Sequence, residues 1–180
     1  MKKLYVSFLL LVLTLALIVP AGAVNAGSKH ITVSGEIEFI YVPGTLVLDR
    51  VVGAKDPVQW DDSIMMGTFV HEVTYTGNID GIAYETISGM WNTKKGEYPL
   101  FQITSNGIQE FTGSVLDKSG TFTARVRHQG RESGEVRIEQ TIISGTGDLA
   151  NLHGTLIFTV YPLGEAHYKG TYSGKLHFAP

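Results

Sequence analysis

From Ile31 to the end of the chain, apolar and polar residues alternate with a period of two. Phe122, Ala124, Val126 and His128 fall on one side of the segment Thr121–His128, with Thr121, Thr123, Arg125 and Arg127 on the other. Glu135–Ile142 repeats the scheme, setting Val136, Ile138, Gln140 and Ile142 against Glu135, Arg137, Glu139 and Thr141. Ile31, Val33, Ile37 and Phe39 likewise alternate with Thr32, Ser34, Glu36 and Glu38. Successive side chains of a strand point to opposite faces, so this pattern specifies antiparallel strands with one buried and one wet face. No sustained 3.6-residue period follows the first 26 residues, and the expected helix content there is almost nil.

Turn signals recur at short intervals: Gly77-Asn78-Ile79-Asp80-Gly81, Ser105-Asn106-Gly107, Asp117-Lys118-Ser119-Gly120, Gly130-Arg131-Glu132-Ser133-Gly134 and Pro162-Leu163-Gly164-Glu165. Glycine, at 21 of 180 residues, is well above its usual ~7%. The pattern predicts strands near 30–41, 45–52, 68–76, 82–91, 98–105, 108–116, 120–128, 134–143, 154–162 and 168–178. Many short strands joined by hairpins form a sandwich or an up-and-down barrel, and a barrel removes the edges that would pair with other chains. The expected fold is all-β, a single antiparallel up-and-down barrel of about eight strands spanning residues 27–180.

Residues 1–26 stand apart. Lys2 and Lys3 precede an apolar run from Leu4 to Val19 broken only by Ser7 and Thr14, and Pro20 ends it. Small residues then offer cleavage after Ala26, or after Ala23. This is the layout of a secretory signal peptide. The alternative is a retained anchor, although about 16 residues fall short of the ~20 that span a bilayer. The expected location is therefore outside the cytoplasmic membrane, secreted or on the exterior of the cell envelope, with no span after cleavage. The chain has no cysteine, which excludes a disulfide scaffold, a thiolate metal site and a cysteine nucleophile. With 17 acidic against 14 basic residues, Lys2 and Lys3 among the latter, it lacks the basic face that nucleic acid requires.

Gly145-Thr146-Gly147-Asp148-Leu149-Ala150-Asn151-Leu152-His153-Gly154 links two strands, with Leu149 and Leu152 spaced to tuck beneath the turn. Upstream lie Phe111-Thr112-Gly113, Ser119-Gly120-Thr121-Phe122 and His128-Gln129-Gly130. In this order and spacing, over roughly residues 68–178, the sequence resembles a bacterial and archaeal family of small single-domain proteins classed as a domain of unknown function. The resemblance implies an eight-stranded barrel like that of allene oxide cyclase, and no reaction. The segment Gly145–Gly154 is also similar to a signature of plant dirigent proteins, whose barrel has a related shape. Gly145, Thr146, Gly147, Asp148 and Gly154 read as a structural turn, the glycines for backbone conformation, Thr146 and Asp148 for side-chain-to-backbone hydrogen bonds.

An eight-stranded barrel is either filled or holds one small ligand, so the polar residues that point inward matter most. By parity these are His71, Tyr75, His128 and Gln140, a set that could orient an apolar ligand through a few hydrogen bonds or could simply be satisfied at a barrel end. The loop Gly53–Gly67 carries Trp60, Met65 and Met66, which would either cap the mouth as a lid or pack outside it. The six histidines show no close pair with metal-ligand spacing, and no G-x-S-x-G nucleophile motif is present; no metal and no cofactor are expected. Three functions remain open: a barrel binding a small apolar ligand in its lumen, a filled structural or protein-interaction barrel of the envelope, and a cofactor-free isomerase, cyclase or dirigent-like auxiliary. The balance is against an enzyme. Ile157 and Tyr161 alternate outward and suggest a homo-oligomer formed through outer strand faces.

Overall fold

The structure, a computed structural model, describes residues 29–52, 64–92, 101–131, 133–164 and 167–180. The leader and Trp60 lie outside these residues. Nine antiparallel strands form one sheet: β1 (Ile31–Tyr41), β2 (Val47–Val52), β3 (Ile64–Gly77), β4 (Ile79–Asn92), β5 (Phe101–Val115), β6 (Lys118–Gly130), β7 (Val136–Gly147), β8 (Leu152–Gly164) and β9 (His167–Phe178). From β3 to β9 each strand pairs with the next, and β1 pairs with both β9 and β3. Eight strands therefore close into a barrel. The ninth, β2, continues alongside the first residues of β3, where β1 has ended. No helix occurs among the described residues. The lower end carries the tight hairpins around Asn78, Leu116–Asp117 and Asp148–Asn151, and the upper end is where β1, β4, β6 and β8 finish.

The ten expected strands become nine because 98–105 and 108–116 are one strand, β5. Gly107 is not a turn residue. It lies opposite Ile87 and Val126, and a Cβ there would come within 2.2 Å of the Thr86 carbonyl. Glycine allows close approach of neighbouring strands at this point. Similarly, β8 runs through Pro162 to Gly164 with a register shift, where a turn was expected.

Alternation fills the inside. Val33, Ile37, Val73, Ile79, Ala83, Ile87, Val115, Leu149, Leu152 and Leu156 are buried with a cluster of rings, Tyr75, Phe111, Phe122, Phe158 and Tyr172. Phe111 and Phe122 stack with centroids 4.4 Å apart, and Tyr75 meets Phe111 edge-on at 5.4 Å and Tyr172 at 5.7 Å. From mid-barrel to the lower end the lumen is a packed core. Leu149 and Leu152 are fully buried beneath the turn that follows β7, and the Asp148 N–H donates to the Ser119 carbonyl at 3.0 Å. The Thr146 hydroxyl bonds to that of Thr121 at 2.7 Å, a cross-strand pair in place of the expected bond to backbone. Gly145 is required by space, since a Cβ would stand 2.1 Å from the Leu149 carbonyl.

The Tyr172 hydroxyl accepts from the Ile79 N–H at 2.7 Å and lies 3.2 Å from the Ile79 carbonyl. Tyr172→Phe strands that buried N–H, which costs about 1–3 kcal/mol. Urea denaturation should show this as a lower midpoint at unchanged slope; a midpoint equal to that of the wild type would contradict the bond's role.

Candidate functional site

The polar interior begins where the aromatic core ends. Alternation on β3 sends His71 and Tyr75 inward between Val73 and its neighbours; on β6 it sends His128 inward beyond Val126, and on β7 it sends Gln140 inward between Ile138 and Ile142. All four are buried. Two further residues join them into one cluster. Glu85 lies on the inner parity of β4 between Ala83 and Ile87, directly opposite His71 on β3 and Gln109 on β5. Register thus places His71, Glu85 and Gln109 in one row across three strands. On β6 the row continues to Ala124, whose small side chain leaves room for Gln109 to reach Gln140 on β7.

Glu85 is fully buried, and its two oxygens face different neighbours. Oε2 accepts from Gln109 Nε2 at 3.0 Å. Oε1 lies 2.8 Å from His128 Nε2 and 3.8 Å from His71 Nδ1. These two contacts lie off hydrogen-bond alignment. Burial alone would push the Glu85 carboxyl up; the two histidines, His128 foremost, outweigh it and hold the group down to about 2. Glu85 is therefore ionised at neutral pH. Behind it, the Tyr75 hydroxyl donates to Gln109 Oε1 at 2.5 Å and to Gln140 Oε1 at 3.1 Å. Burial, and then the charge of Glu85, push that phenol well above its ordinary value.

Above the cluster is a small cavity lined by Phe39, His71, His128, Val136, Ile138, Val160 and Tyr168, at the end where β1, β6 and β8 finish. About 10 Å³ is open to the centre of a water, enough for roughly one molecule. Its walls are mainly apolar and include the two imidazoles, behind which the Glu85 carboxylate is buried. Met65 is buried on the adjoining stretch of β3, whereas Met66 is on the outer parity and more than a third exposed. The two methionines therefore face opposite sides of the sheet. Among the described residues, no group of three histidines or carboxylates has geometry to hold a metal ion.

Glu85 and Gln109 were not among the residues expected from sequence. Parity shows both: Ala83, Glu85 and Ile87 alternate with Ile82, Tyr84 and Thr86, and Gly107, Gln109 and Phe111 with Ile108 and Glu110. On β5 the presumed turn at Ser105–Gly107 concealed the pattern.

Fold and site together define a closed antiparallel barrel, packed below and carrying one buried carboxylate–imidazole cluster at its upper mouth. A model of the family DUF3224, described as a protein of unknown function, matches residues 52–172, and the chain belongs to that family. The match begins earlier than the resemblance over 68–178 and takes in the end of β2. A crystal structure of a DUF3224 protein of unknown function from Shewanella oneidensis MR-1 is similar at 16% identity, covering 84% of this chain and 100% of that one, with a TM-score of 0.55. Two pterocarpan synthase dirigent proteins align more remotely, at 10% and 11% identity and TM-scores of 0.46 and 0.44. They cover 84% of this chain and 97% and 92% of their own. No curated protein matches the chain.

Proposed function

We propose that this barrel binds a small, mainly apolar molecule at its upper mouth, with His128 and His71 as its polar contacts and Glu85 holding their orientation. One observation carries the reading: a fully buried, ionised carboxylate behind two histidines that line a cavity near the barrel end. Such a group costs several kcal/mol to desolvate, and apolar residues of similar volume would stabilise the barrel as well or better. A strongly perturbed acid with a specific charge partner beside a cleft is a candidate functional group. The packed lower lumen restricts the ligand to the mouth, where the water-sized cavity must widen between Phe39, Val136, Ile138 and Val160 to give apolar contact. Histidine beside a fixed carboxylate also suits proton transfer, which keeps a cofactor-free isomerisation within reach of the same residues. We infer from the leader that this binding takes place outside the cytoplasmic membrane.

Native mass spectrometry of protein purified from its own source tests the proposal. A co-purifying small molecule is expected, and His128→Ala should retain it at least roughly tenfold less well, the loss of one good polar contact. The reading fails if no molecule accompanies the wild type, or if the variant retains it equally.

A further inference from the structure

Gln109 is buried and bonded through both ends of its amide. Oε1 accepts from the Tyr75 hydroxyl at 2.5 Å and from Gln140 Nε2 at 2.7 Å, while Nε2 donates to Glu85 Oε2 at 3.0 Å. Turning the amide over would set its NH2 against the NH2 of Gln140 and its oxygen against the Glu85 carboxylate. Both contacts would be like against like, so the network permits one orientation. In that orientation Gln109 occupies Oε2 from the core side and leaves Oε1 to the histidines. The ionised Oε1, 2.8 Å from His128 Nε2, would repel a lone pair there, so even without hydrogen-bond alignment the neutral ring carries its proton on Nε2. The free basic nitrogen is then Nδ1.

We propose that Gln109 is a positioning residue of the mouth site: by holding Glu85 in one orientation it fixes His128 in the Nε2–H tautomer. Its relevance to a ligand rests on the reading of the mouth as a binding site, whereas the tautomer itself does not. Tyr75 and Gln140 act one step further back, since they hold the amide that holds the carboxylate. The polar core is thus ordered from Tyr75 outward, and each member's orientation follows from the one beneath it.

Nitrogen-15 NMR of histidine-labelled protein, full chain, tests this without any ligand. Wild type should show neutral His128 mainly as the Nε2–H form. Gln109→Met removes the donor to Glu85 at nearly constant length, and the tautomer ratio should move about tenfold or more towards Nδ1–H, equivalent to about 1.4 kcal/mol. Gln109→Glu supplies a rescue: its carboxyl, when protonated, can donate to Glu85 and still accept from Tyr75. In the pH range where His128 is neutral, the wild-type tautomer should therefore be seen while the added carboxyl, sharing a proton with Glu85, stays protonated, and be lost as rising pH ionises it. Nδ1–H in the wild type overturns the assignment, as does a lower melting temperature in Gln109→Met with an unchanged tautomer. If Gln109→Met fails to fold, the pH response of Gln109→Glu decides alone, and a tautomer indifferent to pH overturns the proposal. A ligand failing to appear in mass spectrometry while these shifts occur would sink the binding reading and leave the positioning role standing.

Discussion

Phe111→Ala is expected to destabilise the barrel by about 3–5 kcal/mol, a large fraction of what a domain of this size possesses. Phe111 is 1% exposed, stacks on Phe122 at 4.4 Å and meets Tyr75 at 5.4 Å. Its ring also lies under two glycines: a Cβ on Gly113 or Gly81 would stand 2.7 or 2.9 Å from the ring's Cζ. The strands bend close over the phenylalanine because those positions have no side chain. Neighbours that are themselves bulky rings on strands cannot collapse into the space, so most of the cavity should persist and the loss should fall at the upper part of the range. Denaturant titration measures it as a fall in midpoint at unchanged slope. A loss below about 1 kcal/mol would mean that the core repacks freely, which a tightly interdigitated interior does not do. The same void is also a test of the mouth. Phe111 packs on Tyr75, from which the polar network is ordered, so a destabilised but folded variant should also loosen the Tyr75–Gln109–Glu85 chain.

The barrel was legible because period two persists across nearly every strand, and because packing requires an inner parity to be apolar. The same rule exposed His71, Tyr75, His128 and Gln140 as inward polar residues, which is where the structure places them. What the sequence concealed was what joins them, Glu85 beside the two histidines and Gln109 between Tyr75 and Gln140. His71 and Glu85 are 14 positions apart, and only the register of β3 against β4 makes them opposite. Reading Gly107 as a hairpin then broke β5 in two and hid Gln109. Glycine signals two different things, a positive φ at a turn and a close approach between strands, and composition does not separate them. Gly134, with φ of +84°, is the first kind; Gly107 is the second. The filled lower lumen was weighed but not fixed in advance, since side-chain volume against barrel radius depends on strand tilt and stagger.

Glu85→Gln should convert the polar cluster from a source of acid sensitivity into a neutral one. In the folded chain the carboxyl is held at about 2, below its ordinary 4.5. A lowered folded-state value means that the ionised form is stabilised by folding. That contribution is complete above about pH 4.5 and disappears as the pH falls towards 2, where the folded carboxyl takes up its proton. The interval corresponds to about 3 kcal/mol for a buried group. Wild type should therefore lose stability over this range from Glu85 alone, on top of the general effect of protonating surface carboxylates. Glu85→Gln lacks the term, so at pH 6 it should be less stable than wild type by about 3–5 kcal/mol, the loss expected when one member of a buried pair is removed. The difference should narrow steadily below pH 4.5. Paired denaturant titrations from pH 2 to pH 6 would show it. A difference independent of pH would mean that the amide fails for reasons of shape and that the carboxylate's charge is not what the two histidines recognise. A variant as stable as wild type at pH 6 would leave the buried charge without the pairing energy on which the site depends.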